Sequence, residues 1–203
     1  MVVFLPLLVV VLVFSREESH IFINRFHRDL LDTLMFYWTY LGDGLVLSIL
    51  IVALLMVSLR HFLTGLAAFA TGGLLAQLMK LVFFSDFPRP FKYFALHDTG
   101  YQLYLVPGVD QLTWLSFPSG HTSTAFSVFF ALSLLSGKKY MEVLLFLLAL
   151  GVGYSRIYLS QHFLMDVVAG AFIGLLTGGL SWWWLQRYSA QKLDQPLSFR
   201  KRK

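Results

Sequence analysis

Residues 155–186 read SRIYLSQHFLMDVVAGAFIGLLTGGLSWWWLQ, and this stretch decides the fold class. From Val167 to Gln186 it contains no charged residue. A helix of roughly 20 residues is what a hydrocarbon core of about 30 Å requires, so this segment reads as a membrane span. Immediately before it stand Arg156, His162 and Asp166. Titratable chemistry is therefore expected at one end of a transmembrane helix.

Working outward, apolar runs recur at Val2 to Phe14, Gly44 to Leu59, Phe62 to Met79, Thr122 to Gly137 and Val143 to Ser155. The whole chain is 57% hydrophobic and only 13% charged, with a mean hydropathy of +0.68. That leaves too few polar side chains to coat a soluble globule, so the bilayer is the expected solvent. The reading is an all-α, polytopic membrane protein: a six-transmembrane-helix bundle forming one domain over residues 1–203. Val2 to Phe14 is short enough to resemble a signal-peptide core. It lacks a basic leader, however, and is followed by Arg16-Glu17-Glu18 rather than small residues, which favours a span.

Ile21 to Tyr40 mixes apolar residues with Asn24, Arg25, Arg28, Asp29 and Asp32 at helical spacing, as an interfacial helix does. Phe84 to Phe117 is the one long loop; it carries Pro88, Pro90 and Pro107, with Tyr93, Tyr101, Tyr104 and Trp114 as an aromatic skirt at headgroup level. With six spans, one side collects nine basic residues (Arg60, Lys138, Lys139, Arg187, Lys192, Arg200, Lys201, Arg202, Lys203) against Glu142 and Asp194. The other side collects seven basic residues against nine acidic ones. The basic side is expected to be cytoplasmic and to hold both termini; the long loop is then extracytoplasmic, periplasmic in a bacterium. Clustering of the net +5 charge beside apolar runs argues for membrane orientation and against nucleic acid. With no cysteine, disulfides and thiolate metal sites are excluded.

A charge near mid-bilayer costs about 2.5–3.5 kcal/mol on insertion scales, so ionisable groups in spans face a wet interior or a partner. Lys80, His121, Arg156, His162 and Asp166 all fall near the outward ends of their spans, at one expected depth. His162 and Asp166 are four residues apart. Their carboxylate and imidazole can meet on one helical face, turning the second ring nitrogen outward as a nucleophile, although a structural pair has the same spacing. Arg156 can fork onto phosphate oxygens or snorkel to a headgroup. Pro118-Ser119-Gly120-His121 opens a helix: Ser119 can cap it, and Gly120 lets an anion approach the free N–H groups, though an ordinary capped start looks alike. His121 opposite His162 suits proton donation to a leaving oxygen. Lys80 and Arg89 can neutralise phosphoryl charge or anchor at the interface. His20, His27, His61 and His97 lack such neighbours and read as surface or interface residues; Asp43 after Gly42 reads as a turn or cap.

Taken together, these three elements resemble the type 2 phosphatidic acid phosphatase (PAP2) superfamily, which includes glucose-6-phosphatase and the vanadium haloperoxidases. The resemblance covers Lys80 to Asp166. Ser155-Arg156, five residues, His162, three residues and Asp166 match its third motif, and Pro118-Ser119-Gly120-His121 its second. The first motif departs: eight residues separate Lys80 from Arg89-Pro90 where the family has six. The resemblance implies a membrane lipid phosphatase without metal or other cofactor. His162 would attack phosphorus to form a phosphohistidine, Asp166 would orient it and His121 would protonate the departing oxygen. Lys80, Arg89, Ser119, Gly120 and Arg156 would hold the phosphate. The implied partner is a phosphorylated membrane lipid, with undecaprenyl diphosphate ahead of phosphatidylglycerophosphate, phosphatidate and lipid A phosphates. A lipid-phosphate binding or transport protein using the same basic pocket is the competing reading, and a haloperoxidase a third, disfavoured by the spans.

Overall fold

The computed structural model describes residues 13–188 and 191–195, and every regular element among them is helical. The expected first span, Val2 to Phe14, lies almost wholly outside the described residues. In chain order the helices are α1 (Arg16–Asn24), α2 (Asp29–Trp38), α3 (Gly44–Ala53), α4 (Leu59–Val82), α5 (Pro90–Leu96), α6 (Gly120–Ser136), α7 (Lys139–Tyr158) and α8 (Leu164–Gln186). Short 3₁₀ turns follow α2 and α3.

Among the described residues three helices, α4, α7 and α8, are long and apolar enough to cross a membrane. A fourth crossing results if α2 and α3, which meet at a 58° bend, act as one. The Gly44–Leu59 run is thus half of a bent pair instead of a straight span. Asp43 causes the break: its backbone is extended, and its carboxylate accepts the Leu45 N–H at 2.8 Å to cap α3. The single helix expected over Ile21 to Tyr40 is likewise two helices, because Arg28 is extended between α1 and α2. At its start α1 is fixed by a reciprocal capping box between Ser15 and Glu18.

At the centre, α6 packs on α8, α4 and α7. Its 17 residues are mostly buried, so it meets protein on most sides, whereas α4 and α7 are less than half buried over their apolar windows. In a bilayer, helices associate by close packing and interhelical hydrogen bonds, for which small residues are needed. A Cβ on Gly170 would sit 2.5 Å from the Ser119 carbonyl oxygen, and one on Gly174 would sit 2.6 Å from that of Ser123. Polar side chains of α6 then bond across the contact: Ser123 donates to the Gly72 carbonyl at 2.9 Å and Ser127 to that of Ala68 at 2.7 Å.

The loop between α4 and α6 is less lipid-facing than its aromatics imply. Tyr101 and Tyr104 turn inward, donating to Asn24 at 2.9 Å and Asp32 at 2.5 Å respectively. Its two ends are drawn together where Arg89 N–H donates to the Thr113 carbonyl and Ser116 N–H to that of Phe87. At the opposite end of the bundle, Arg60 joins α4 to Asp194 at 2.6 Å and to the Leu185 and Tyr188 carbonyls.

Candidate active site

The site is built where α7 stops and α8 begins. α7 ends because Ser160 adopts the left-handed conformation, φ 54°, which lets the Gln161 and His162 N–H groups both donate back to the Arg156 carbonyl at 3.0 Å. Arg156 and His162 are thereby folded onto one turn. Phe163 is then extended and starts α8.

Asp166, in the first turn of α8, turns back towards this connection. Its Oδ2 accepts from the Phe163 N–H at 3.0 Å, from the Ser116 hydroxyl at 2.5 Å and from His162 Nδ1 at 3.3 Å. Since Nδ1 is engaged by the carboxylate, the lone pair of His162 is left on Nε2. Burial, followed by the charges of Arg89, Lys80 and Arg156, pushes the His162 imidazole well below its ordinary range. Neutral, buried and oriented from behind, it has the attributes of a nucleophile.

Each of the other residues singled out in the sequence has a defined place. Lys80, near the C-terminus of α4, is buried and within electrostatic reach of Arg89, Asp166 and Arg156. The eight-residue spacing therefore does not carry it away from the cluster. Arg89 caps α5 without a side-chain cap bond; its guanidinium donates to the Trp114 carbonyl at 3.0 Å and to the Gln161 carbonyl at 3.1 Å. Its pKa is lowered to about 10, chiefly by burial, which still leaves it cationic at neutral pH.

Arg156 donates to Thr39 at 2.8 Å and to Gln161 Oε1 at 3.4 Å, while its Nε has no partner among the described residues. His121 is the second residue of α6 and is acted on electrostatically by Arg156, Lys80 and Arg89. Ser119 caps α6, but its hydroxyl is shared with Thr122 at 2.8 Å, and its N–H donates to the Asp166 carbonyl at 2.9 Å. Gly120 differs: a Cβ there would meet nothing within 4 Å, so there is open space beside the first residue of α6. Helix starts of this kind favour anions.

Three contributors have no signature in the sequence pattern. Ser116 holds the carboxylate behind His162. Gln161 offers Oε1 to both Arg89 and Arg156, while Thr39 supports Arg156 from the bent α2–α3 pair. Adjacency to His162 was the only hint of Gln161. His20, expected at the surface or the membrane interface, is fully buried against Phe163 and reaches Ser160. It is the one histidine of those four whose expected position the structure overturns outright.

A family model described as the PAP2 superfamily matches residues 62–190, more than half of the chain. The chain belongs to the PAP2 superfamily. Among solved structures, Aquifex aeolicus LpxE superposes with a TM-score of 0.69 at 32% identity, covering 84% of this chain and 94% of the other. The transmembrane PAP2-type phosphatidylglycerolphosphate phosphatase of Bacillus subtilis superposes with a TM-score of 0.65 at 25% identity, covering 94% and 96%. Undecaprenyl-diphosphatase BcrC of Bacillus subtilis is 27% identical over 157 residues, 76% of this chain and 75% of the relative. Lipid A 1-phosphatase of Porphyromonas gingivalis is 40% identical over 70 residues, 34% of this chain. That alignment spans 16% of the Porphyromonas protein, and the one with Bacteroides thetaiotaomicron lipid A 4'-phosphatase spans 34% of its relative. This chain therefore spans well under two thirds of the length of both lipid A phosphatases.

Proposed function

We propose that this PAP2 protein is an integral-membrane phosphatase that removes a terminal phosphate from a membrane lipid through a phosphohistidine. The observation that carries the reading is His162, fixed by Asp166 at 3.3 Å and surrounded by Lys80, Arg89 and Arg156. Binding a phosphate requires only the cations. An imidazole held by a carboxylate among them supplies a nucleophile that a carrier has no use for.

In the proposed reaction, the His162 Nε2 lone pair forms a bond to phosphorus as the bond to the lipid oxygen breaks. His121, entering as the imidazolium, gives its extra proton to that departing oxygen and is left neutral. Lys80, Arg89, Arg156 and the N–H groups at Gly120 bind the equatorial oxygens, whose charge is spread in the transition state. Water then attacks phosphorus as its bond to His162 Nε2 breaks, and neutral His121 takes the proton from that water, releasing inorganic phosphate and restoring a neutral His162 and a protonated His121. Ser119 contributes through its cap of α6.

The chain is read as six spans, with both termini cytoplasmic and the site facing outward, at the periplasmic surface if the membrane is a bacterial inner membrane. An outward site suits a polyprenyl carrier, and undecaprenyl diphosphate is the favoured substrate. Phosphatidylglycerophosphate, phosphatidate and lipid A phosphates complete the panel. Phosphate release from each lipid in detergent micelles tests the reading: His162→Ala must abolish it, and equal release by both proteins overturns the mechanism. Because the chain has no cysteine, single cysteines at Asp110 and Lys138 report sidedness directly. Only the former should react with an impermeant maleimide from outside.

A further inference from the structure

Ser160 occupies the left-handed region that side chains other than glycine seldom adopt, and it does so in the turn joining Arg156 to His162. Nothing within that turn explains why a serine is held there. Its hydroxyl instead meets two side chains of α1, His20 Nε2 and Asn24 Nδ2, each at 3.3 Å. Asn24 is buried, and all of its hydrogen-bonding capacity is used. Its amide also donates to the Tyr104 carbonyl at 2.9 Å, and its oxygen accepts from the Tyr101 hydroxyl and the Tyr104 N–H, both at 2.9 Å. His20 packs edge-on against Phe163, the residue after His162. One short helix outside the three motifs therefore grips both sides of the nucleophile and ties them to the long loop.

We infer that Asn24, with His20, is a positioning residue: through Ser160 it sets the turn that aims His162 and Arg156 at the same phosphorus. The inference rests on the proposed phosphatase reading. Misplacing a reacting group by about 1 Å can cost ~100-fold in rate, even when the altered residue is remote from the chemistry. Asn24→Ala is expected to lower kcat by up to about that factor with KM within about twofold, since the phosphate ligands remain. Ser160→Gly removes the anchored hydroxyl while keeping a residue at ease with positive φ, and should lower kcat by ~10-fold without loss of folding. The double variant should be no worse than Asn24→Ala alone, because both substitutions cut one connection.

The experiment is phosphate release by the full chain in detergent micelles, normalised to folded protein, for wild type, the two single variants and the double. A wild-type kcat in Ser160→Gly, or fully additive losses, overturns the inference. So does a loss in Asn24→Ala that merely follows the folded fraction. If the wild type releases no phosphate from any lipid tested, the activity reading fails by itself. The inference is then decided by orthovanadate binding as a five-coordinate transition-state mimic bonded to His162, which depends on its aim as ground-state binding does not, read as thermal stabilisation. Weakening by both single variants supports it, and unchanged binding overturns it.

Discussion

The two ends of the bundle each bury an arginine, and the two are satisfied differently. Arg60 is 8% exposed, and all three of its guanidinium nitrogens have partners, including the Asp194 carboxylate and two carbonyls that terminate α8. Arg156 is 7% exposed, meets only a hydroxyl and an amide oxygen, leaves Nε unpartnered and has no ion pair among the described residues. A buried cation with unused donors costs stability unless something anionic completes it. The first arginine is finished by the fold; the second is left for a ligand.

The sharpest way to break this comparison is to remove each arginine in turn. Arg156→Ala should lower phosphate release by about 10³-fold, the scale of a lost transition-state donor, with little change in unfolding midpoint. Arg156→Lys should recover only part, about tenfold, because a point charge cannot fork. Ser116→Ala removes a hydrogen bond to the Asp166 carboxylate, worth about 1.5 kcal/mol, and should cost about tenfold in kcat. Arg60→Ala should leave kcat within about twofold and lower stability by roughly 1–2 kcal/mol, read by denaturation in detergent, as the end of α8 loses its donors. Matching effects at the two arginines would dissolve the distinction.

A smaller effect comes from His20, whose burial lowers its pKa from 6.5 to about 4. Above pH 6.5 the ring is neutral in folded and unfolded chains alike, so it contributes no pH dependence. Between pH 6.5 and about 4 the unfolded chain takes up a proton that the folded chain refuses. Stability must therefore fall on acidification across that window and level off below it. His20→Gln should flatten the slope of the unfolding midpoint between pH 7 and 5.

Much of this was legible in the sequence because its logic is local. Arg156, His162 and Asp166 lie within one turn and a helix start, where spacing alone determines who can meet. The span at Val167 to Gln186 is as legible, since hydropathy and length suffice. Direction is another matter: Gly44 to Leu59 is apolar enough for a span, yet hydropathy carries no information about the 58° bend that Asp43 introduces. Asn24 looks like the polar face of an interfacial helix and His20 like a surface or interface residue, and their partner Ser160 is 136 residues away from Asn24. Ser116 and Gln161 sit in irregular connections, where no periodicity reports which way a side chain faces.

The bond from the Ser119 N–H to the Asp166 carbonyl joins the start of α6 to the first turn of α8, and both of its atoms belong to the main chain. Replacing either side chain leaves the bond standing unless proline takes position 119. A survey of every substitution would therefore undercount what holds the two halves of the site in register, crediting side chains with an alignment that the peptide backbone itself maintains.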